Sequence, residues 1–353
     1  MSELNTFNNQ NLLNNESNEK TLFIEEYYSV WSMIKLNPIE FIDEESNKSV
    51  ILNLVAIGLS NGRIFIINLS TMKIHQKLST INTIYSLVQF KDNPKYLLCS
   101  LSNGYIIIYK LIGKNYIEIQ KLQKPNDLGR SAINKIIILS NGDIISGEKG
   151  NISLWRQKRD FEGNIIEGFI FVKEIYKDFS DICHLIEVKN NTFACGIYGS
   201  NVIKIFENKE DSYDLMGTIN HVEIHGNNSN GMAKINDKLF CCGGKNYFIY
   251  IISFEPPELI QTIKLVNEES TSYICFMHAT NDGLFLFTSY YEKIVQLKIV
   301  KDRHNNFIEL EKYDEFEDKK SGSPAIVTTS DGKILYQKKS DKIGFCLKPF
   351  KMP

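Results

Sequence analysis

One pattern recurs along the whole chain: a strand end of small residues, a tight polar turn, and a strand of alternating Ile and aromatic residues. The clearest copies are VAIGLSNGRIFIINL at 55–69, LCSLSNGYIIIYKL at 98–111 and IISGEKGNISLWRQ at 144–157. The seven turns, 42 to 51 residues apart, are marked by Asn61, Asn103, Lys149, Ser200, Asn246, Glu292 and Ser340. A four-stranded propeller blade takes roughly 40–45 residues, so this spacing predicts an all-β, seven-bladed β-propeller.

Each interval divides into four short strands separated by polar breaks. In the second interval they are 84–90, 96–101, 105–111 and 116–122, and the breaks contain KDNP, SNG and IGKN. The inner strands are apolar almost throughout, as expected for strands packed between blades, whereas the fourth strand alternates. The predicted antiparallel blades span approximately 29–80, 81–124, 131–178, 180–222, 229–267, 272–316 and 323–350.

The two ends of the chain predict how the ring closes. The last blade is one strand short, and TLFIEEY at 21–27 is a spare strand that precedes the first blade. We expect this N-terminal strand to complete the last blade, because closure removes exposed strand edges. The alternative is an ordinary edge strand. Residues 1–20 are Asn-rich and polar, which predicts a disordered tail before a single propeller domain at 21–353.

Two segments resemble the WD-repeat family: ISGEKGNISLWR at 145–156, with Trp155 at the signature tryptophan, and SVWSMIKL at 29–36. The resemblance extends over roughly 21–350, but the turn Asp of the family is missing from all seven turns. At the tryptophan position the other blades carry Ile67, Tyr109, Phe206, Ile252, Lys298 and Cys346. We therefore expect apolar packing, and not the family's buried hydrogen-bonded networks, to hold the blades together.

Composition argues against several classes of partner. The net charge is -2, and Arg occurs only at 63, 130, 156, 159 and 303, which disfavours nucleic-acid binding. No apolar run approaches the roughly 20 residues of a membrane span, so no membrane insertion is expected. The seven cysteines are scattered without a CxxC pair, which predicts neither zinc nor disulfides. The N-terminus does not resemble a signal peptide, and a cytoplasmic or nuclear protein is expected.

No catalytic motif is found, and the sequence predicts a protein that is not an enzyme and has no cofactor or metal. His221 and His225 have a metal-like spacing but no third ligand nearby. Adjacent Cys241 and Cys242 are interpreted as buried hydrophobes. The alternative is an enzyme or ligand binder that uses the central channel. Only His184 and His278 favour it, and they belong to the first strands of different blades.

The resemblance implies that peptides or domains bind at the top rim of the ring. Aligned first strands place seven residues at the rim: Trp31, Tyr85, Asn134, Cys183, Asn230, Ile274 and Pro324. Trp31 and Tyr85 belong to neighbouring blades, and Arg130 lies in the loop before the third. We therefore predict a partner-binding patch of Trp31, Tyr85 and Arg130, with Asn134 and Asn230 further around the rim. The alternative is that the two aromatic rings only fill space between blades.

The function predicted on this basis is a non-catalytic protein–protein interaction scaffold, a monomeric propeller within a larger complex. An alternative within this class is the substrate receptor of a cullin-type ubiquitin ligase. The WDxR-like box of such receptors is approached, but not completed, by residues 155–158 and 206–209. Neither the composition nor the motifs identify the partner.

Overall fold

Short apolar segments, in which successive side chains point to opposite faces, form strands in the computed structural model of the chain. The structure describes residues 19–24, 28–43, 48–125, 131–160, 165–199, 201–210, 212–220, 231–266, 274–280, 282–290, 293–304, 306–317, 325–329, 331–339 and 343–350. All regular elements in these residues are β-strands. The predicted disordered tail at 1–20 lies almost wholly outside the described residues and stays a prediction.

The first half of the chain, including the spare N-terminal strand, forms the first fourteen strands. They are β1 (Lys20–Ile24), β2 (Val30–Lys35), β3 (Ile39–Asp43), β4 (Lys48–Leu52), β5 (Leu54–Leu59), β6 (Arg63–Asn68), β7 (Lys73–Ser79), β8 (Ile84–Gln89), β9 (Tyr96–Leu101), β10 (Ile106–Ile112), β11 (Asn115–Leu122), β12 (Ile133–Ile138), β13 (Ile144–Arg159) and β14 (Ile165–Lys189).

The second half of the chain continues the pattern. Its strands are β15 (Thr192–Ile197), β16 (Val202–Lys209), β17 (Ser212–Asn220), β18 (Met232–Lys234), β19 (Leu239–Gly243), β20 (Phe248–Phe254), β21 (Pro257–Lys264), β22 (Ile274–Ala279), β23 (Phe285–Tyr290), β24 (Lys293–Lys301), β25 (Phe307–Glu317), β26 (Ile326–Thr328), β27 (Lys333–Lys339) and β28 (Ile343–Pro349).

These strands form a propeller of antiparallel sheets. Five sheets have four strands each, in the orders β2-β5-β6-β7, β8-β9-β10-β11, β18-β19-β20-β21, β22-β23-β24-β25 and β26-β27-β28-β1. A sixth sheet has the order β12-β13-β14-β15-β16-β17, and β3 and β4 form a separate hairpin within residues 39–52. The described residues thus build six propeller sheets and not the seven separate blades that the repeat predicts.

The difference in number arises at β14, which is 25 residues long. Its first part pairs with β13 as far as Asp181, and its second part pairs with β15 from Ile182 onwards. The predicted boundary between blades, at 178–180, lies inside this strand. The sequence there, IYKDFSDIC, contains neither Gly nor Pro to interrupt a strand, so the third and fourth predicted blades belong to one sheet.

The innermost strands form a closed ring. In order around it, β2, β8, β12, β14, β18, β22 and β26 each contact the next, and β26 contacts β2. At the closure, β1 is the outermost strand of the sheet that contains β26, β27 and β28, and Thr21 pairs with Cys346. This pairing of the two ends of the chain is the one that the spare strand at 21–27 predicts.

Apolar side chains fill the space between neighbouring sheets, as expected. Three glycines on second strands, Gly58, Gly147 and Gly243, allow especially close packing. An added Cβ at each would lie under 3.0 Å from the isoleucine that begins the next innermost strand. Those isoleucines are Ile84, Ile182 and Ile274. Glycine is required at these positions because any side chain would push two sheets apart.

The expectation that no buried polar network remains is wrong. Trp155 Nε1 donates to Ser146 Oγ at 2.9 Å, and Ser146 Oγ donates to Glu148 Oε1 at 3.0 Å. Glu148 is fully buried and forms an ion pair with Lys124, which also pairs with Glu174 at 3.1 Å. The network was missed because its carboxylate is Glu148 and not an Asp at the turn, and because Lys124 comes from the segment that follows β11.

Glutamine side chains on outer strands form hydrogen bonds to the backbone of the neighbouring sheet. Gln76 of β7 donates to Tyr116 O and accepts from Tyr116 N, both at 2.8 Å. Gln120 of β11 makes the same pair of bonds to the backbone of Phe169 in β14, at 2.8 and 2.9 Å. These paired bonds lock the outer edges of three consecutive sheets to one another.

Candidate functional site

Five innermost strands share a bulge at the end where the rim residues were predicted: β2, β8, β12, β14 and β22. On β2 the register skips Trp31 between Val30 and Ser32, and on β8 it skips Tyr85 between Ile84 and Ser86. Asn134 on β12 and Cys183 on β14 occupy the same position. A bulge inserts one unpaired residue into the ladder and re-aims its side chain. Four of the predicted rim residues are therefore structurally equivalent.

The other three predicted rim residues have different outcomes. On β22 the register skips Cys275 between Ile274 and Phe276, so the prediction of Ile274 is wrong by one residue. Ile274 is buried against Gly243, because it corresponds to Val30 and Ile84 of the other strands. Asn230 and Pro324 lie outside the described residues, as does Arg130, and all three stay predictions.

Trp31 and Tyr85 contact each other across the first two sheets. Their ring centroids are 5.1 Å apart with an interplanar angle of 72°, an edge-to-face arrangement, and both side chains are half-buried. Such pairs contribute about 0.5–1.5 kcal/mol beyond the area they bury. The pair therefore fills space between sheets, as the alternative interpretation holds, and still exposes part of its surface. Asn134 is also half-buried and donates to Ile182 O at 3.3 Å.

Hydrogen bonds fix the loops beside this pair. Ser29 N donates to Ser60 Oγ at 3.2 Å, and Thr83 Oγ1 donates to Ser60 O at 2.7 Å. Ser102 N donates in turn to Thr83 O at 3.1 Å. The loops before β2 and β8 are thereby tied to the turns of both sheets, which gives the rim a defined shape here.

Two rim residues that sequence reasoning missed are Ile81 and Phe179. Ile81 is 92% exposed and Phe179 is 104% exposed, the two highest values among the large apolar side chains described. Ile81 lies three residues before Ile84, which begins β8, and Phe179 lies three residues before Ile182, where β14 begins to pair with β15. The available signal was an apolar residue inside an otherwise polar segment, STINT before β8 or YKDFSD within β14.

The innermost strands also enclose a cavity of about 520 Å³ around the centre of the ring. Strands β2, β12, β14, β18, β22 and β26 contribute to its wall. The lining includes His184 and His278, which the sequence assigned to different blades. Both face one cavity because all innermost strands surround the same axis. Lys35 and Lys135 line it as well, and no carboxylate lines it among the residues that the structure describes.

Burial dominates the electrostatics of this channel. It lowers the pKa of Lys135 to about 7. Burial and the nearby charge of Lys135 lower the pKa of His184 to about 3, and burial with Lys35 lowers that of His278 to about 4. Both imidazoles are therefore neutral at physiological pH. Burial also lowers the pKa of Lys35, although Asp331 opposes the shift.

The remaining candidates form no site among the described residues. Cys241 and Cys242 are buried, as expected, and burial raises the pKa of the Cys241 thiol to about 12. His221 and His225 lie outside the described residues, and the described His, Cys, Asp and Glu side chains form no metal-binding group. Arg156, in the partial WDxR-like box, pairs with Asp143 through two bonds of 2.8 and 2.9 Å. No described helix could span a membrane.

Comparisons with known proteins support the fold alone. No protein-family model matches the chain, and no curated protein matches its sequence. Among solved structures, "Structure of U3-55K" has a TM-score of 0.68 at 8% identity, covering 94% of this chain and 98% of that one. The WD40 beta propeller domain of Doa1 has a TM-score of 0.59 at 12% identity, covering 93% and 95%. The chain thus has the architecture of WD40 propellers.

Proposed function

We propose that this protein is a non-catalytic interaction scaffold that binds partner proteins on one arc of its rim. We define the rim patch as Ile81, Phe179, Trp31 and Tyr85. The observation that carries the proposal is the near-complete exposure of Ile81 and Phe179 at equivalent rim positions. A partner that covers these two side chains is stabilised, because the burial of apolar surface away from water lowers the free energy of the complex.

The rim patch combines two exposed side chains with two that are held in contact. Trp31 and Tyr85 are held edge to face, so little side-chain entropy is lost when a partner covers their exposed parts. Ile81 precedes β8 and Phe179 precedes the second part of β14, so these apolar anchors belong to the innermost strands before and after β12. Arg130 precedes Ile133 by the three residues that also separate Ile81 from Ile84. We therefore propose that Arg130 belongs to the same arc and prefers a partner with a carboxylate between two apolar side chains.

We also propose that the ring functions as seven blades, with the six-stranded sheet supplying two of them. Two observations support this count. No residue of β14 pairs with both β13 and β15, so its two parts serve different ladders. Gly150 of β13 has a φ of 76°, and Trp155 contacts Ser146 although an extended strand would separate them by roughly 30 Å. β13 therefore folds back and supplies two strands.

The cellular location we propose is the cytosol or nucleus. The six cysteines whose side chains the structure describes are free and buried, and burial raises the pKa of their thiols, which keeps them in the unreactive protonated form. Such cysteines suit a compartment in which thiols stay reduced. Microscopy of the tagged full chain tests this proposal, and a secreted or luminal signal would contradict it.

The proposed function is tested by comparing the proteins that co-purify with the wild-type chain and with three single variants. Ile81→Ser and Phe179→Ser remove the exposed anchors and should lose a common set of partners. Ile112→Ser is the matched control, because Ile112 is also exposed, at 54%, but is the last residue of β10, at the other end of its sheet. Retention of the same partners by both rim variants would contradict the proposal.

A further inference from the structure

A small pocket lies between the second and third sheets, at the end of β8 opposite Tyr85 and the rim patch. We call it the side pocket. Its apolar wall consists of four side chains, Phe90, Tyr96, Ile119 and Phe169. The ring centroid of Phe90 is 5.5 Å from that of Phe169 and 6.2 Å from that of Tyr96. Three of the four side chains are only half-buried, so the pocket presents apolar surface to solvent.

The size of the side pocket limits what it can hold. Its volume is about 50 Å³, well below the roughly 300–1,000 Å³ of small-molecule sites. Gly168 keeps part of its wall open, because its φ is 106° and an added Cβ would lie 3.1 Å from Gln120 Oε1. The pocket therefore fits the end of one aliphatic side chain of a larger partner, and not a whole small molecule.

Gln157 supplies a polar group to the same pocket. It pairs with Phe169 in the ladder, and its side chain has no hydrogen-bond partner among the described residues. Elsewhere in the molecule, Gln76 and Gln120 each bond through the side-chain amide to both the N–H and the C=O of one extended residue. The amide of Gln157 can form the same pair of bonds to the backbone of a bound peptide.

Basic side chains lie beside the side pocket. Lys110 Nζ is 5.6 Å from the centroid of the Tyr96 ring, and the stem of Lys158 lies 3.5 Å from the Cβ position of Gly168. Glu167 pairs with Lys110 at 2.7 Å. Within the part of the chain that the structure describes, no carboxylate pairs with Lys158. One positive charge without a counter-charge therefore stands next to the pocket.

The turn between β8 and β9 adds a second such charge. It exposes Lys91, Asp92 and Lys95, so it carries more positive than negative charge. Lys91 Nζ is 4.0 Å from Glu187 Oε2, whereas Lys95 has no ion-pair partner among the described residues. An excess of lysine around an apolar pocket favours a partner with acidic residues, because complementary charges attract it and like charges repel the alternatives.

We propose that the side pocket binds a linear peptide segment of a partner protein that carries one leucine or isoleucine between acidic residues. The aliphatic side chain enters the pocket, Gln157 bonds to the peptide backbone, and Lys95 and Lys158 pair with the acidic side chains. Burial of the aliphatic side chain supplies most of the affinity, because exposed ion pairs contribute little. The site lies at the other end of β8 from the rim patch, so the two sites can be occupied, and can fail, independently.

The test is fluorescence polarisation with a labelled synthetic peptide in which one leucine stands between three aspartates on each side. The peptide is titrated with the full chain at pH 7 and low salt, and we expect saturable binding at one site. Asn93→Trp should weaken this binding about tenfold or more, because the indole closes the pocket. Asn93 is exposed, so the melting temperature should not change. Asn93→Ser is the matched control and should bind like the wild type.

A second variant tests the charge without touching the apolar wall. Lys158→Glu should weaken binding about threefold or more at low salt, and the difference should shrink as the salt concentration rises. A peptide with serine in place of the leucine should bind about tenfold more weakly to the wild type. Phe179→Ser should leave the affinity for the leucine peptide unchanged, and Asn93→Trp should keep the partners of the rim patch.

Three results would overturn the proposal. They are failure of the wild-type chain to bind the leucine peptide, equal affinities of the wild type and Asn93→Trp, and equal affinities for the leucine and serine peptides. Loss of partners from Phe179→Ser with unchanged peptide binding concerns the rim patch alone, so the two proposals are tested separately.

Discussion

Trp155 Nε1 donates a hydrogen bond to Ser146 Oγ at 2.9 Å, although both residues belong to β13 and lie nine positions apart. The bond spans the hairpin that Gly150 creates and connects the signature tryptophan to Glu148 and Lys124. This sheet thus keeps a buried polar network in addition to the apolar packing between sheets. The network makes this sheet a specific target for measurements of stability.

The Trp155–Ser146 bond predicts a coupled loss of stability. Trp155→Phe removes the donor and Ser146→Ala removes the acceptor, and each should lower the free energy of unfolding by about 1–3 kcal/mol. The double variant should cost less than the two single changes together, because the same bond is lost in each. Urea denaturation of the four proteins measures this coupling. Strict additivity would show that the bond contributes nothing.

The buried ion pair between Lys124 and Glu148 predicts an asymmetric response. Lys124→Met leaves Glu148 buried without its main counter-charge and should cost about 3–5 kcal/mol. Adding Glu148→Gln to that variant should recover part of the loss, because no buried charge then remains. Denaturant unfolding checks both values. Equal stabilities of the single and double variants would rule out an electrostatic origin.

Close approach between sheets predicts that Gly147→Ala destabilises the propeller. The new methyl group would meet Ile182 at under 3.0 Å, and overpacking of this kind costs about 1–3 kcal/mol. The double variant Gly147→Ala/Ile182→Val should lose less stability than the sum of the losses in the two single variants, because the smaller valine makes room for the new methyl group. As a control, Gly113 has a φ of 62° and open space around it, so Gly113→Asn should be tolerated. Thermal unfolding compares the variants, and an unchanged Gly147→Ala would contradict the packing.

The channel histidines predict an acid-sensitive fold. Their pKa values of about 3 and about 4 in the folded protein lie below the ordinary value of 6.5. The unfolded chain therefore binds more protons at mildly acidic pH, and the free energy of unfolding falls as pH drops from about 6.5 towards 4. His184→Gln cannot titrate at this position, so its stability should fall less steeply over that range. Identical slopes for both proteins, measured by denaturant unfolding at several pH values, would contradict burial of a neutral His184.

Local patterns predicted the parts of the fold that depend on local chemistry. The four strands expected at 84–122 agree with β8 to β11 within one residue, because polar turns end each apolar run. The pairing of β1 with β28 followed from counting strands at the two ends of the chain. The sequence placed a blade boundary at 178–180 and missed that β14 continues through it, because that continuity depends on contacts with both neighbouring ladders.

The candidate sites were less predictable because they combine residues from separate repeats. Alignment of first strands placed Trp31 and Tyr85 together, and the structure has them in contact. The same alignment could not show that Ile81 and Phe179 are exposed, since exposure depends on neighbouring loops. The alignment also could not place His184 and His278 in one cavity. The positions of two strands in the sequence do not tell how close their side chains come across the centre of the ring. Arg130 and Asn230 remain predictions from the sequence.

The central claim is that partners bind this propeller on the arc of the rim that contains Phe179. The most direct measurement replaces Phe179 by a photoreactive aromatic amino acid in the full chain and identifies cross-linked proteins after irradiation in cells. The same substitution at Ile112 provides the control. We predict discrete cross-linked partners from position 179 that are absent from position 112 and are reduced by Ile81→Ser. Absence of cross-links at 179, or the same products from both positions, would contradict binding at the rim patch.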